Sequence, residues 1–288
     1  MMNVRAIHSR RRFLLGLGAA VASALVPFPL PASAQTRGHP ELKDFTPLCL
    51  RAGKFTLSAW IREGRGDTLR VFIAGDGPAW ASDGLASSNP TPRHSVSALL
   101  AADMPRTDPV LYLARPGQYA PQEELRRLSP VWWTSHRYAA EVVQAVSIAV
   151  REAQQRCSAS KVALYGFSGG GALAVLAAPA LLPDLTCLGT IASPLDTALW
   201  TRLLGSKALP HSLNPKTVAA QLFSVPQIHL AGGRDTVVPP QVLDSWLSEL
   251  QPLPEWIRRV IVPEAEHQGP WLQTWRVEHA VFVSLWLF

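Results

Sequence analysis

Residues 162–171 read VALYGFSGGG, and no other stretch limits the fold as tightly. Val162, Ala163, Leu164 and Tyr165 form a short apolar run of the kind that makes a buried strand. Ser168 follows between Gly166 and Gly170, and ALAVLAAPALL then continues in a helix-compatible run. The pattern predicts a strand that passes into a helix through one sharp turn, with the serine at its apex. Side chains at the two flanking glycine positions would collide as strand and helix pack together. Such a turn projects a serine hydroxyl for use as a nucleophile. A serine that merely caps the following helix would leave the same local pattern.

Apolar runs suggest further strands at 55–63, 68–75, 109–115, 186–192, 227–232 and 258–263. Helical stretches fall near 95–103, 135–156, 170–182, 240–250 and 270–287, after an irregular lead-in at 35–52. The first two strands, separated only by Gly64–Asp67, are expected to form an antiparallel hairpin at the sheet edge. Beyond them strand and helix alternate. That alternation predicts an α/β fold, with a mostly parallel central sheet flanked by helices on both faces. Ligands bind such sheets beyond the carboxyl ends of the strands.

Two later segments supply partners for Ser168. PQIHLAGGRD gives a short strand, a Gly-Gly turn and Asp235. IRRVIVPEAEH gives another strand and then His267, trailed by Gln268-Gly269-Pro270. In these residues the chain resembles the α/β-hydrolase superfamily: GFSGG resembles its nucleophile elbow, GGRDTVVP its acid loop and EAEHQGP its histidine loop. The likeness extends over essentially everything after residue 34, and Ser168, Asp235 and His267 follow the family's chain order. Asp196, in IASPLDTALW, is the alternative acid, otherwise a helix cap or pocket-wall residue. His229 reads as a sheet residue, and His136 and His279 as helical ones. His94 and His211 fall in loops and remain candidates on position alone.

The resemblance implies an exported serine hydrolase acting on carboxylic esters. Ser168 would attack the acyl carbonyl, His267 would shuttle the proton, and Asp235 would orient the imidazole. Gly169 N–H would supply one oxyanion donor. The second would come from Gly75-Asp76-Gly77-Pro78, which stands where the family often has His-Gly. Proline has no N–H, leaving Asp76 or Gly77, with Asp76 favoured by analogy. A serine at the elbow argues against the dehalogenase and epoxide hydrolase relatives, which place aspartate there. Thioesterase, amidase, peptidase or acyltransferase chemistry would use the same groups, and an inert binding protein on this fold is the alternative of another class.

At the front of the chain, SRRRFLL precedes an uncharged stretch from Phe13 to Val26, then three prolines and Ala32-Ser33-Ala34. This resembles a twin-arginine export signal over residues 1–34, and the apolar stretch is shorter than the roughly 20 residues of a membrane span. It predicts a periplasmic or secreted protein with one catalytic domain over 35–288, partnered in transit by the export machinery. Oligomeric state is not legible.

The net charge of +6 owes four arginines to that leader, which has no acidic residue. No basic run with interleaved aromatics follows, so nucleic acid is not an expected partner. No metal-binding motif appears, and no cofactor is expected. Of the three cysteines, Cys157 and Cys187 stand at neighbouring strand starts and are the favoured disulfide pair, leaving Cys49.

Two insertions are expected to shape the pocket: residues 78–94, and a small cap at 194–225. Trp80, Trp132, Trp133 and Trp200 are candidates for an apolar wall facing a small-molecule or lipid-like acyl ester, with core packing as the alternative for each.

Overall fold

Thr46–Ala52 (β1) and Phe55–Arg62 (β2) pair as an antiparallel hairpin. Gly53, at φ +60°, makes the turn in a conformation that favours glycine. The computed structural model describes residues 39–82 and 84–286. The export signal expected over residues 1–34 lies outside them.

Thr68–Ile73 (β3) follows, then a two-stranded ribbon of Trp80–Ser82 (β4) and Leu85–Ala86 (β5), helix Val96–Asp103 (α1) and strand Val110–Leu113 (β6). Helices Gln122–Arg127 (α2) and Ala140–Arg156 (α3) lead to Lys161–Phe167 (β7) and Gly169–Ala177 (α4). Strand Leu185–Ile191 (β8), helix Thr197–Leu203 (α5), strand Gln227–Gly232 (β9) and helix Gln241–Leu247 (α6) come next. Ile257–Val262 (β10) and Trp271–Trp286 (α7) complete the described chain. Eight strands form one sheet in the order β1-β2-β6-β3-β7-β8-β9-β10. The sheet is antiparallel from β1 to β6 and parallel from β6 onward.

The sequence pairing of β2 with β3 is therefore wrong. β6 lies between them, and the 63–67 connection passes over its start. Arg65 and Gly66 donate their N–H groups to Thr107 O at 2.8 and 3.2 Å, and a side chain on Gly64 would overlap the Asp108 backbone. The true hairpin partner is β1, inside the segment read as an irregular lead-in. Its TPLCLRA sequence mixes Pro, Arg and half-buried positions, so it lacks a clear strand alternation.

Alternate residues of each parallel strand enter opposite faces. Val71, Leu164 and Leu188 meet α3, α4 and α6 on one side. Phe72, Tyr165 and Cys187 meet α1 and α7 on the other. α3 earns its place by spacing, since Val142, Ala145, Val146, Ala149, Val150 and Ala153 share its buried face. α4, with no charged residue, is buried all round. The same two-sidedness overturns the expected Cys157–Cys187 disulfide. Cys157 packs on the α3 side and Cys187 on the α7 side, and the two are not joined.

Candidate active site

Ser168 ends β7 at φ +51° and ψ −127°, a left-handed conformation that costs a side-chain-bearing residue about 1–3 kcal/mol. Packing enforces it. A Cβ on Gly166 would overlap the backbone of Gly170, and one on Gly170 would overlap Ile73 O of the adjoining strand. The Ser168 N–H donates to Ile191 O at 2.8 Å, tying the turn to β8. Ser168 makes no side-chain cap to α4, although it occupies the cap position. Its Oγ lies instead 3.1 Å from His267 Nε2.

Asp235 and His267 follow β9 and β10, so all three groups lie at the carboxyl edge of parallel strands, with β8 between β7 and β9. Asp235 Oδ1 accepts the N–H groups of Val237 and Val238, each at 2.8 Å. That leaves Oδ2 to His267 Nδ1 at 2.8 Å, within a side chain that has no exposed surface. A carboxylate can only accept, so Nδ1 carries a proton there and the neutral ring leaves Nε2 open to the serine hydroxyl. The two loops interlock: side chains on Gly232 or Gly233 would overlap the carbonyl oxygens of Ala265 or Pro263. The Trp271 indole donates to His267 O at 2.8 Å, and the Phe167 ring lies 5.0 Å from the imidazole.

The competing residues have other occupations. Asp196 caps α5, accepting from Ala198 N and Leu199 N at 3.1 Å each, and also binds Asn214 and Ser245. His229 is enclosed between Thr190 and Gln227, and burial pushes its pKa down to about 3. His279 binds the Tyr165 hydroxyl, and burial and then Arg70 push its pKa down to about 4. His136 lies ahead of α3 rather than within a helix, where it stacks on His211 at 4.4 Å.

The turn after β3 brings Gly75 against Ser168, because a Cβ there would lie 3.6 Å from Ser168 Cβ. Gly169, Asp76 and Gly77 donate no backbone N–H to the turn and loop hydrogen bonds among the described residues. The Asp76 carboxylate packs over Gly169, bound to Arg115, with Arg137 at 3.5 Å and the Tyr138 hydroxyl at 3.3 Å. Burial disfavours its charge, but the Arg115 and Arg137 guanidiniums outweigh that and hold its pKa below the usual value. Gln118 donates to Gly75 O at 2.9 Å and accepts from Arg115 N at 3.1 Å, clamping this turn to the loop after β6. Sequence reasoning missed Arg115, Gln118, Arg137 and Tyr138. An unexplained acid in the GDG turn was the one signal that it needed basic partners.

Beside this cluster lies a cavity of about 660 Å³ whose walls include Trp80, Arg137, Trp200, Lys207 and Leu209. Both insertions therefore contribute. Trp132 and Trp133 do not: Trp132 packs on Phe55 beneath Lys54, and Trp133 donates to Ser87 O. Among the described residues no cluster of ligating side chains fits a metal ion.

Solved structures share this architecture. An esterase of Pyrococcus furiosus is similar over 85% of this chain and 93% of its own, with a TM-score of 0.59 and 14% identity. The chain has the α/β-hydrolase fold. A lidless α/β serine hydrolase of Xanthomonas campestris matches 84% of the chain and 95% of its own, at a TM-score of 0.54 and 17% identity. The acylaminoacyl peptidase of Pyrococcus horikoshii covers 85% of the chain at a TM-score of 0.61 and 15% identity, the match taking up 42% of that larger protein. No protein-family model matches the sequence, and no curated protein matches it. Within this fold Ser168 stands in the turn after the central strand β7, and the Asp235 and His267 loops follow strands farther along the same edge.

Proposed function

We propose that this protein is a serine hydrolase that cleaves carboxylic esters through an acyl-enzyme intermediate. The observation that carries the reading is the continuous chain from Ser168 Oγ through His267 to the buried Asp235 carboxylate. His267 Nε2 takes the hydroxyl proton as Ser168 Oγ attacks the acyl carbon, and returns it to the departing alkoxide. Asp235 stabilises the imidazolium formed in between. Water, activated by the same imidazole, then releases the acid. Gly169 N–H, with the N–H of Asp76 or Gly77, would receive the developing oxyanion, each donor contributing about 3 kcal/mol.

Hydrolysis of p-nitrophenyl butyrate by residues 35–288, wild type beside Ser168→Ala, tests this. Wild-type turnover that the variant loses supports the reading, and equal rates in both overturn it. Thioester and anilide analogues separate ester cleavage from thioesterase or peptidase chemistry. Labelling of Ser168 by a fluorophosphonate separates an enzyme from an inert binding protein. Export by the twin-arginine route belongs to the same proposal and rests on Arg10-Arg11 ahead of Phe13-Leu14. Retention of an Arg10→Lys/Arg11→Lys variant in the cytoplasm is its expected signature.

A further inference from the structure

The cluster against Gly169 carries an imbalance of charge. Arg115 and Arg137 face a single carboxylate, that of Asp76, with side-chain exposures of 4%, 10% and 20%. A guanidinium cannot lose its proton in a protein, so the group as a whole holds one excess positive charge out of water. Arg115 is consumed within it, donating to Asp76 and to Arg137 O. Arg137 is not. Its Nε donates to Thr134 O at 2.8 Å, Nη1 stands 3.5 Å from the shared carboxylate, and the residue lines the 660 Å³ cavity. Lys207 lines the same cavity, and among the described residues no Asp or Glu does. Asp83, between the lining residues Ser82 and Gly84, lies outside the described residues. Trp80 and Trp200 line the same cavity.

We infer that this cavity takes an ester carrying a carboxylate, held by Arg137 and Lys207, with a short apolar spacer between the charge and the scissile bond. The inference rests on the serine hydrolase reading and names its substrate class. The anion completes the buried cluster, giving Arg137 the charge-assisted partner that Asp76, bound to Arg115, supplies only at a distance. A neutral ester of the same length gains no such contact.

The test compares kcat/KM for mono-p-nitrophenyl glutarate and p-nitrophenyl butyrate, which share a leaving group. A second pair, 4-butyryloxybenzoate and phenyl butyrate, carries the charge on the alcohol side. The expected result is a preference for the charged member of one pair of about tenfold or more, as one charge-assisted hydrogen bond provides. Lys207→Glu, at an exposed position, is expected to cut that ratio about tenfold. Arg137→Gln is expected to lower it further if the cluster still folds. Ser168-dependent hydrolysis with no preference in either pair overturns the inference and leaves the hydrolase reading standing. If none of these esters is turned over, fluorophosphonate labelling decides the hydrolase reading and binding decides the inference. Calorimetric titration of monomethyl glutarate into Ser168→Ala, with and without Lys207→Glu, then either shows a Lys207-dependent anion site or shows none, which overturns it.

Discussion

The loops after β7, β9 and β10 and the loops after β3 and β6 share one edge of the sheet but are built differently. The first group is short and locked by backbone contact. Gly166, Gly170, Gly232 and Gly233 each stand where a Cβ would meet main-chain atoms. The second group is longer, and apart from Gly77 against the Pro90 backbone, single side chains from distant segments hold it together: Asp76 with Arg115 and Arg137, Gln118 with Gly75 O, and Trp133 with Ser87 O. Reacting atoms need fixed geometry, which backbone packing supplies. A recognition wall needs particular chemistry, and side chains on loops can be exchanged without disturbing the sheet.

The contrast breaks first at Ser168. Ser168→Ala is expected to lower kcat by about 10⁴-fold or more while the melting temperature holds or rises, because alanine removes the proposed nucleophile and no core contact. Loss of folding in this variant would show that the serine is structural. Next, Gly170→Ala is expected to destabilise by about 3 kcal/mol or more in a denaturant titration, through overlap with Ile73 O. Gly84, at the cavity wall, has φ +76° and open space around it, so Gly84→Ala is expected to cost only about 1 kcal/mol. Equal costs at the two glycines would erase the distinction.

Acid separates the regions as well. His229 sits in β9, under the Asp235 turn, and its folded-state pKa is about 3 against 6.5 for the free side chain. The unfolded chain takes up that proton first. Stability is therefore complete above pH 6.5 and lost as pH falls towards 3, by on the order of a few kcal/mol. His229→Gln is expected to flatten this slope in pH-dependent urea unfolding, and an unchanged slope would refute the assignment. Asp76, with its pKa lowered, adds stability above the usual carboxylate pKa and loses it only as pH drops below about 4. A modest effect is expected at Trp200, whose indole donates to Val237 O at 2.7 Å and so touches both regions. Trp200→Ala should raise KM about tenfold with kcat nearly unchanged; a large fall in kcat would make it part of the nucleophile's support.

The same difference decides what the sequence discloses. Ser168, Asp235 and His267 are legible because each follows a strand at a glycine-marked turn and their order is informative. Arg115 and Arg137 look like any surface arginines until the fold sets them beside Asp76. The β1–β2 hairpin and the insertion of β6 escape notice because strand order depends on distant pairing, while sequence proximity points to β2 and β3 as neighbours. Trp132 and Trp133 mislead in the opposite direction, as aromatics whose partners are Phe55 and Ser87 rather than a ligand.

The strand order also sets a timetable for synthesis. The β1–β2 hairpin can close as soon as residue 62 has been made, but β3 must leave a place on its β2 side until β6 arrives. Its other side waits for β7, and the Ser168 turn is fastened only when Ile191 of β8 offers its carbonyl. The nascent chain thus carries Ser168 unset until two thirds of its length has left the ribosome.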